Sequence, residues 1–195
     1  MANKDAPFGM RPIRMVSGEP FSGGSNRYRI TANYDTNIFM GDIVEVATAG
    51  TITRVAASNT DPVLGVFLGC FYSDPTTSKP TYSNYYPADT NASDIIANVV
   101  DDPNVMFEMQ ADAIFPVADL FGNFDIVDNS PVGDTNSGWS RMELDVTTGA
   151  TTSNLPIKAM DISQDPANSD VATANTNVVV VFNNHLYSGG TAGLA

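Results

Sequence analysis

One eight-residue run, from Val63 to Cys70, constrains the fold of this 195-residue chain more than any other feature. It reads VLGVFLGC and is apolar on both faces of an extended strand, so it has no face suited to water. Such a strand must lie between two layers or inside a closed barrel. The residues that precede it, from Gly41 onward, form two shorter β segments with turns at 48–50 and 58–62. The stretch from Gly41 to Tyr72 therefore predicts three consecutive strands, the last of them fully buried.

The rest of the chain consists of short β segments with very little helix. Further strands are predicted at 27–32, 95–100, 105–110, 124–127, 142–146, 155–162 and 177–184. Residues 116–122, with proline in the first turn and glycine after the end, predict one short helix. Turns recur every ~8–12 residues, which is typical of a barrel or a sandwich. We therefore predict an all-β fold: a single β-barrel or sandwich-like body at 27–187, an extended N-terminal arm at 1–26, a flexible C-terminal tail at 188–195, and at most one short helix.

The first 26 residues are predicted to form an irregular arm. Their three prolines and four glycines are spaced so that no helix or strand period survives. Hydrophobic residues at 8, 10, 13, 15, 16 and 21 nevertheless make the segment too apolar for a plain flexible linker. We expect the arm either to pack back on its own body or to lie across a neighbouring subunit.

The charge of the chain is strongly uneven. The net charge is −13, yet residues 1–29 carry +3, so the remainder carries −16. An acidic body of this kind repels nucleic acid and anionic membranes, and three net charges on the arm suffice only for weak phosphate contact. No run approaches the ~20 apolar residues of a membrane span, and the first residues lack the apolar core of a signal peptide. We predict neither nucleic acid nor a membrane as partner.

No residue pattern indicates catalysis or a cofactor. The single cysteine, Cys70, lies in the most apolar strand, where we expect a small buried hydrophobe. The single histidine, His185, follows the last buried strand, where a structural role is expected. Loops 134–138 and 161–165 have alternating oxygen donors, which could bind calcium. Neither loop continues to the glycine and glutamate of a calcium loop, so the sequence does not predict a calcium site but leaves calcium binding open. We predict a non-enzymatic protein with no catalytic residue, no cofactor and no metal site.

The loop from 73 to 92 is long for a compact domain and contains three prolines and three tyrosines. Exposed tyrosines on a stiff loop suit protein contact, since they supply rigid amphipathic area at low entropic cost. The alternative is that this loop covers one end of the barrel. Exposed aromatic residues on one face, here Tyr82, Tyr85, Tyr86 and Trp139, would also suit a carbohydrate-binding β-sandwich.

Several short motifs, taken in order, resemble structural proteins of tailed bacteriophages. The start APFGMRP resembles the APFGFRP start of those proteins. Further similar motifs are GDIV at 41–44, VLGV at 63–66, FEMQAD at 107–112 and DVTTG at 145–149. The set is similar to that of virion structural, head decoration or cement proteins of marine podovirus-like phages, and the resemblance runs over most of the chain.

The resemblance implies a capsid decoration (cement) protein, made in the host cytoplasm and located on the outer surface of the virion capsid. Such a protein binds the shell of major capsid protein and stabilises it against internal DNA pressure, with no active site. We expect it to form a homo-oligomer, with a trimer favoured. The expected contact residues are Phe8, Met10, Arg11, Ile13, Arg14, Phe21, Tyr82, Tyr85 and Tyr86. The alternatives are a tail or head-to-tail adaptor component and a carbohydrate-binding β-sandwich module.

Overall fold

The computed structural model describes residues 2–128, 131–191 and 193, and this part of the chain is almost entirely β. The strands are β1 (Arg11–Met15), β2 (Asn26–Arg29), β3 (Ile43–Val46), β4 (Ile52–Arg54), β5 (Val63–Ser73), β6 (Pro80–Ser83), β7 (Ile96–Val100), β8 (Val105–Gln110), β9 (Asn123–Val127), β10 (Glu143–Ala150), β11 (Ile157–Ile162) and β12 (Asn177–Phe182). A single 3₁₀ turn at Val117–Asp119 is the only helix in the described residues. The predicted all-β fold is confirmed, and the predicted helix is present in shorter form.

The strands form two antiparallel sheets. Sheet 1 has the order β1–β8–β12–β11–β9–β10, and sheet 2 the order β2–β7–β5–β3–β4 with β6 paired to β5. Sheet 1 curls until the end of β8 meets β10, where Ala111 bridges Leu144 and the Asp112 N–H donates to the Leu144 carbonyl at 3.1 Å. The resulting architecture is a sandwich of two sheets, one of which is strongly curled.

The first part of β5, Val63 to Cys70, is buried on both faces, as its sequence predicts. Val63 and Val66 point into the main core, which lies between the two sheets. Leu64 and Phe67 point the opposite way, into a second core beneath the loops that cover sheet 2. Because β5 lies in the middle of sheet 2 and separates the two cores, removing either cover would expose apolar surface.

The N-terminal segment is more regular than the sequence indicates. Residues 11–15, predicted as irregular arm, form β1, an edge strand of sheet 1 paired with β8. The register shifts between Pro12 and Arg14, so Ile13 is an extra residue that breaks the alternating pattern. Proline is tolerated here because an edge strand needs hydrogen bonds on one side only. In the single chain described, the arm packs on its own body, and a position across a neighbouring subunit stays a prediction.

The described part of the C-terminal tail is attached to the body. The Thr191 N–H donates to Asn183 Oδ1 at 3.1 Å, and Asn123 Nδ2 donates to the Thr191 carbonyl at 2.7 Å. Thr191 is therefore held by two side-chain amides. Residues 192, 194 and 195, which the prediction of a flexible tail also covers, lie outside the described residues.

A buried ion-pair network joins sheet 2 to the loops beside it. Asp42 is fully buried and accepts hydrogen bonds from the Phe39 N–H at 2.7 Å, Ser140 Oγ at 2.6 Å and Arg54 Nε at 2.9 Å. Arg54 also pairs with the Asp128 carboxylate. Burial raises the pKa of Asp42 to about 6, although Arg54 and the other donors favour its charged form.

The raised pKa of Asp42 predicts a specific pH dependence of stability. The folded state binds the Asp42 proton more tightly than the unfolded chain, whose carboxyl has the ordinary pKa of 3.8. The contribution of this group to the free energy of unfolding is therefore fully present below pH ~4 and falls as pH rises to ~6, by at most about 3 kcal/mol. Urea unfolding of the wild type and of Asp42→Asn between pH 4 and 7.5 measures this.

The difference between the two proteins is the readout, because other carboxyls with raised pKa, such as Glu143, act on both alike. We expect the wild type to lose stability relative to Asp42→Asn as pH rises from 4 to 6, with a constant difference above that range. Parallel curves for the two proteins across the whole range would contradict the assignment.

Candidate interaction surfaces

Two of the predicted contact residues are buried. Met10 is 1% exposed and lies in the main core, and Tyr86 is 0% exposed and lies in the second core. The Tyr86 hydroxyl donates to the Tyr34 carbonyl at 3.1 Å, which satisfies its polar end inside the protein. Neither side chain is accessible at the surface in this fold, and contact of these two residues with a capsid shell stays a prediction. In an irregular segment the hydrophobic residues do not recur with the period of a helix or a strand, so the sequence does not show which of them are buried.

The remaining predicted residues of the arm lie along β1 and the segment after it. The Arg11 guanidinium lies 4.9 Å from the centre of the Phe8 ring and pairs with the buried carboxylate of Glu108. These two arm residues are thus engaged with their own body. Arg14 is exposed, whereas Ile13 and Phe21 are half-buried, Phe21 against the main core.

An exposed apolar groove lies on sheet 2. Cys70 and Tyr72 face the second core, so Phe71 between them lies on the opposite face of β5, where it is 44% exposed. Tyr82 on β6 is 58% exposed beside it. Together with β7 they form a groove of about 530 Å³, lined by Arg27, Phe71, Tyr82, Asp94, Ile96 and Asn98. We call this surface the Phe71 groove.

Tyr82 is held in place by the strand beneath it. Its hydroxyl donates to the Leu68 carbonyl at 3.2 Å. A Cβ atom on Gly69 would lie 2.5 Å from that hydroxyl oxygen and 2.9 Å from the Ser83 carbonyl oxygen, so the glycine leaves room for both groups. The side chain that approaches Gly69 this closely is Tyr82. Tyr82 therefore presents a rigid aromatic surface at the groove.

The other loop tyrosines cover the protein. Tyr85 is half-buried and stacks on Phe39, with ring centres 5.5 Å apart. Tyr86 closes the second core. The predicted covering role of the loop from 73 to 92 is confirmed, because the residues after β6 cover one side of sheet 2. The exposed Tyr82 on β6 leaves the predicted protein contact as a prediction.

A second, more polar cleft surrounds Trp139, whose side chain is 41% exposed. This cleft of about 480 Å³ is lined by Asp5, Ala6, Pro7, Asp134, Ser137, Trp139, Ser140 and Arg141. A shallower depression of about 270 Å³ shares Ser137 with it and reaches Tyr82. Residues of the loop 134–138 therefore line both depressions.

Exposed arginines lie on the edge strands of both sheets. Arg14 is on β1, and Arg27 and Arg29 are on β2. These two strands lie at the ends of their sheets and belong to the basic first part of the chain. Positive edges on an acidic protein favour an anionic protein surface as neighbour, and another copy of this chain is such a surface.

His185 and Cys70 have structural surroundings. The His185 Nδ1 accepts the Tyr187 N–H at 3.1 Å, which leaves Nε2–H to donate to the Leu64 carbonyl at 2.7 Å. Burial lowers the pKa of His185, and burial raises the pKa of the Cys70 thiol to about 12. Both groups are held in their neutral forms at pH 7.

Neither a metal cluster nor a membrane-spanning helix occurs in the described residues. No three or more His, Cys, Asp and Glu side chains in 2–128, 131–191 and 193 are grouped so that they could bind a metal ion. In the same residues, no helix has the length and apolar character needed to cross a membrane.

Comparison of the chain with family models, with curated proteins and with solved structures finds no match. A function for the chain therefore has to be inferred from its own residues.

The sequence pattern does not indicate that Phe71 and Ile96 line an exposed groove. Phe71 follows an apolar run that is buried on both faces, so the pattern gave no reason to expect it at the surface. The signal that was present is Gly69, where the β5–β7 register shifts, because a bulge changes which side chains share a face.

Gly69→Ala tests whether Tyr82 depends on the glycine beneath it. Gly69 has φ of +132°, so alanine there adds backbone strain as well as the clash with the Tyr82 hydroxyl. We expect a loss of about 2–4 kcal/mol in the free energy of unfolding, measured in urea.

Gly23→Ala is the matched control. Gly23 also has positive φ, +84°, but a Cβ atom added there would have no other atom within 4 Å, so only the backbone strain applies. Gly23→Ala should cost no more than about 1–2 kcal/mol. Equal losses for the two variants would show that Tyr82 does not pack on Gly69.

Proposed function

We propose that this chain is a capsid decoration (cement) protein, which binds the outer surface of the major capsid protein shell of a tailed bacteriophage and adds contact area between shell subunits. The observation that supports this most is the Phe71 groove, a rigid and exposed apolar surface on an otherwise acidic protein. Its two aromatic side chains are of the type that forms the energetic centre of protein interfaces.

The attachment of the groove to the core suits a protein that carries mechanical load. Phe71 is on β5, the longest strand, whose first part is buried on both faces and hydrogen-bonded to β3 and β7. A force applied to the groove is therefore shared across the ladders of sheet 2 and passes into both cores. Movement of the groove relative to the body would require these ladders to separate.

Decoration needs interface area and does not need chemistry. A stable protein contact buries roughly 1,000 Å² or more in total, which exceeds what one groove offers. The edge strands beside it, with Arg14, Arg27 and Arg29 exposed, supply additional polar contact area. Repetition of this contact over a symmetric shell multiplies a modest gain at each junction.

The Phe71 groove is tested by Phe71→Ala and Tyr82→Ala, singly and together. Each removes an exposed aromatic surface without opening a core, so the protein should remain folded. If these side chains form the centre of the shell contact, each single variant should bind about ten- to a hundred-fold more weakly. Co-sedimentation with purified shells of the phage that encodes the chain gives the affinity.

Val117→Ala with Phe121→Ala is the matched control, because both residues are similarly exposed, at 52% and 45%, on the 3₁₀ turn and directly after it. This control should bind like the wild type. Undiminished binding by the Phe71 and Tyr82 variants would exclude the groove from the contact.

The alternative of a tail or adaptor component is distinguished by copy number, because such a component would be present in only a few copies in each virion.

A carbohydrate-binding role is the second candidate, and the cleft at Trp139 is the observation that favours it. The exposed indole lies among Asp134, Ser137 and Arg141, which offer the planar and hydroxyl groups that recognise sugar hydroxyls. Glycan-array binding that is lost in Trp139→Ala and kept in Phe71→Ala would favour this role. An array without signal would leave only the decoration proposal.

A further inference from the structure

The first residues of the chain are held by two buried amide side chains. Gln110, 1% exposed, donates from Nε2 to the Lys4 carbonyl at 3.0 Å and accepts the Ala6 N–H at 3.0 Å. Asn168, 5% exposed, donates from Nδ2 to the same carbonyl at 2.8 Å and accepts the Lys4 N–H at 3.2 Å. These amides thus bind the backbone of an extended peptide on both its donors and its acceptors, and they do not contact its side chains at these positions.

Asn3 adds a side-chain determinant. Its Nδ2 donates to the carbonyls of Asp170 at 2.8 Å and Ala174 at 3.0 Å, and its Oδ1 accepts the Asp170 N–H at 3.1 Å. The loop 168–176 therefore closes around this one amide. We call Gln110, Asn168 and this loop the amide cradle.

Two further sets of contacts hold the segment on the body of the protein, in the way that a protein holds a peptide ligand. The Met10 N–H donates to the Gly41 carbonyl at 2.8 Å, and a Cβ atom on Gly9 would lie 2.5 Å from that carbonyl oxygen. The Met10 side chain fills a site in the main core, and residues 11–15 add an edge strand to β8. The segment 3–15 is consequently recognised by backbone, by one amide and by one apolar side chain.

The connection after this segment suits a hinge. Residues 16–25 contain three glycines, and a Cβ atom added at Gly18, Gly23 or Gly24 would have no other atom within 4 Å. Every residue of this connection except Phe21 is exposed. Fully extended, ten residues span up to ~35 Å, which is enough to reach an adjacent molecule. The next element, β2, belongs to the other sheet, so the segment could leave sheet 1 without disturbing sheet 2.

We propose that residues 3–15 are an exchangeable segment that occupies the amide cradle of a second copy of this chain. The cradle is complementary to this sequence, so the same segment from another copy makes the same hydrogen bonds, core contact and strand pairing. The charges also favour it, since the first 29 residues carry +3 and the rest of the chain −16. The inference needs two copies only and does not rest on the proposed function.

Energy transfer between labelled full-length chains tests the exchange. One chain carries a donor at Lys4→Cys, and the other an acceptor at Ala172→Cys, both at exposed positions whose side chains the cradle does not use. Buried Cys70 should not react with the labels. Exchange predicts transfer after the two chains are mixed, unfolded together and refolded at high concentration.

The control acceptor is at Thr152→Cys, an exposed site at the opposite end of β12, beside Asn183. Transfer to position 172 and little to position 152 supports the exchange. Equal transfer to both positions indicates association without docking in the cradle, and no transfer to either position indicates no exchange. Either of these two results overturns the inference.

Shortening the hinge provides a second measurement. Deletion of residues 22–25 should leave the segment too short to reach its own cradle, and should raise the dimer or ring fraction at least about ten-fold by light scattering. Replacement of the same four residues by alanine keeps the length and should not do so. A deletion variant that folds as a monomer, with transfer between positions 4 and 172 of one chain, would overturn the inference.

Discussion

The burial of Val63 to Cys70 of β5 on both faces dictates the arrangement of the other layers. A strand with no polar face needs a cover on each side, and a two-sheet sandwich supplies only one. Sheet 1 covers one face through the main core, and the loops before β3 and after β6 cover the other through the second core. The long loop from 73 to 92 is therefore mainly a structural cover, and Tyr86 is the side chain that closes it.

The network of Asp42, Arg54 and Asp128 lies where this second cover meets the sheets. Removing water from such charges is costly, and their mutual attraction and hydrogen bonds offset only part of that cost, since the pKa of Asp42 remains raised. Asp42 accepts from a backbone N–H, a serine hydroxyl and the guanidinium, which selects one arrangement of the loops containing Phe39 and Ser140. The network thus specifies how the cover is attached, whereas apolar burial supplies the driving force.

The surfaces available for binding are those that the two covers leave open. The Phe71 groove lies near the end of β5. One face of the strand there still points into the second core, whereas the opposite face, which carries Phe71, is exposed. The cleft at Trp139 and the amide cradle lie beside the N-terminal segment, which contributes Asp5 to the cleft and is itself bound by the cradle. The first residues of the chain therefore lie next to both of these surfaces.

The amino-acid pattern alone predicts the all-β class, the buried central strand, the short helical turn and the structural settings of Cys70 and His185. These features follow from the local alternation of apolar and polar residues, from turn residues and from residue counts, and none of these signals depends on residues distant in sequence. Only the tertiary structure decided that residues 11–15 form a strand, that Met10 and Tyr86 are buried, and that Phe71 is exposed. Each of these depends on a partner distant in sequence, such as β8, the second core or Gln110, and an irregular segment or a bulge carries no period that identifies its partner.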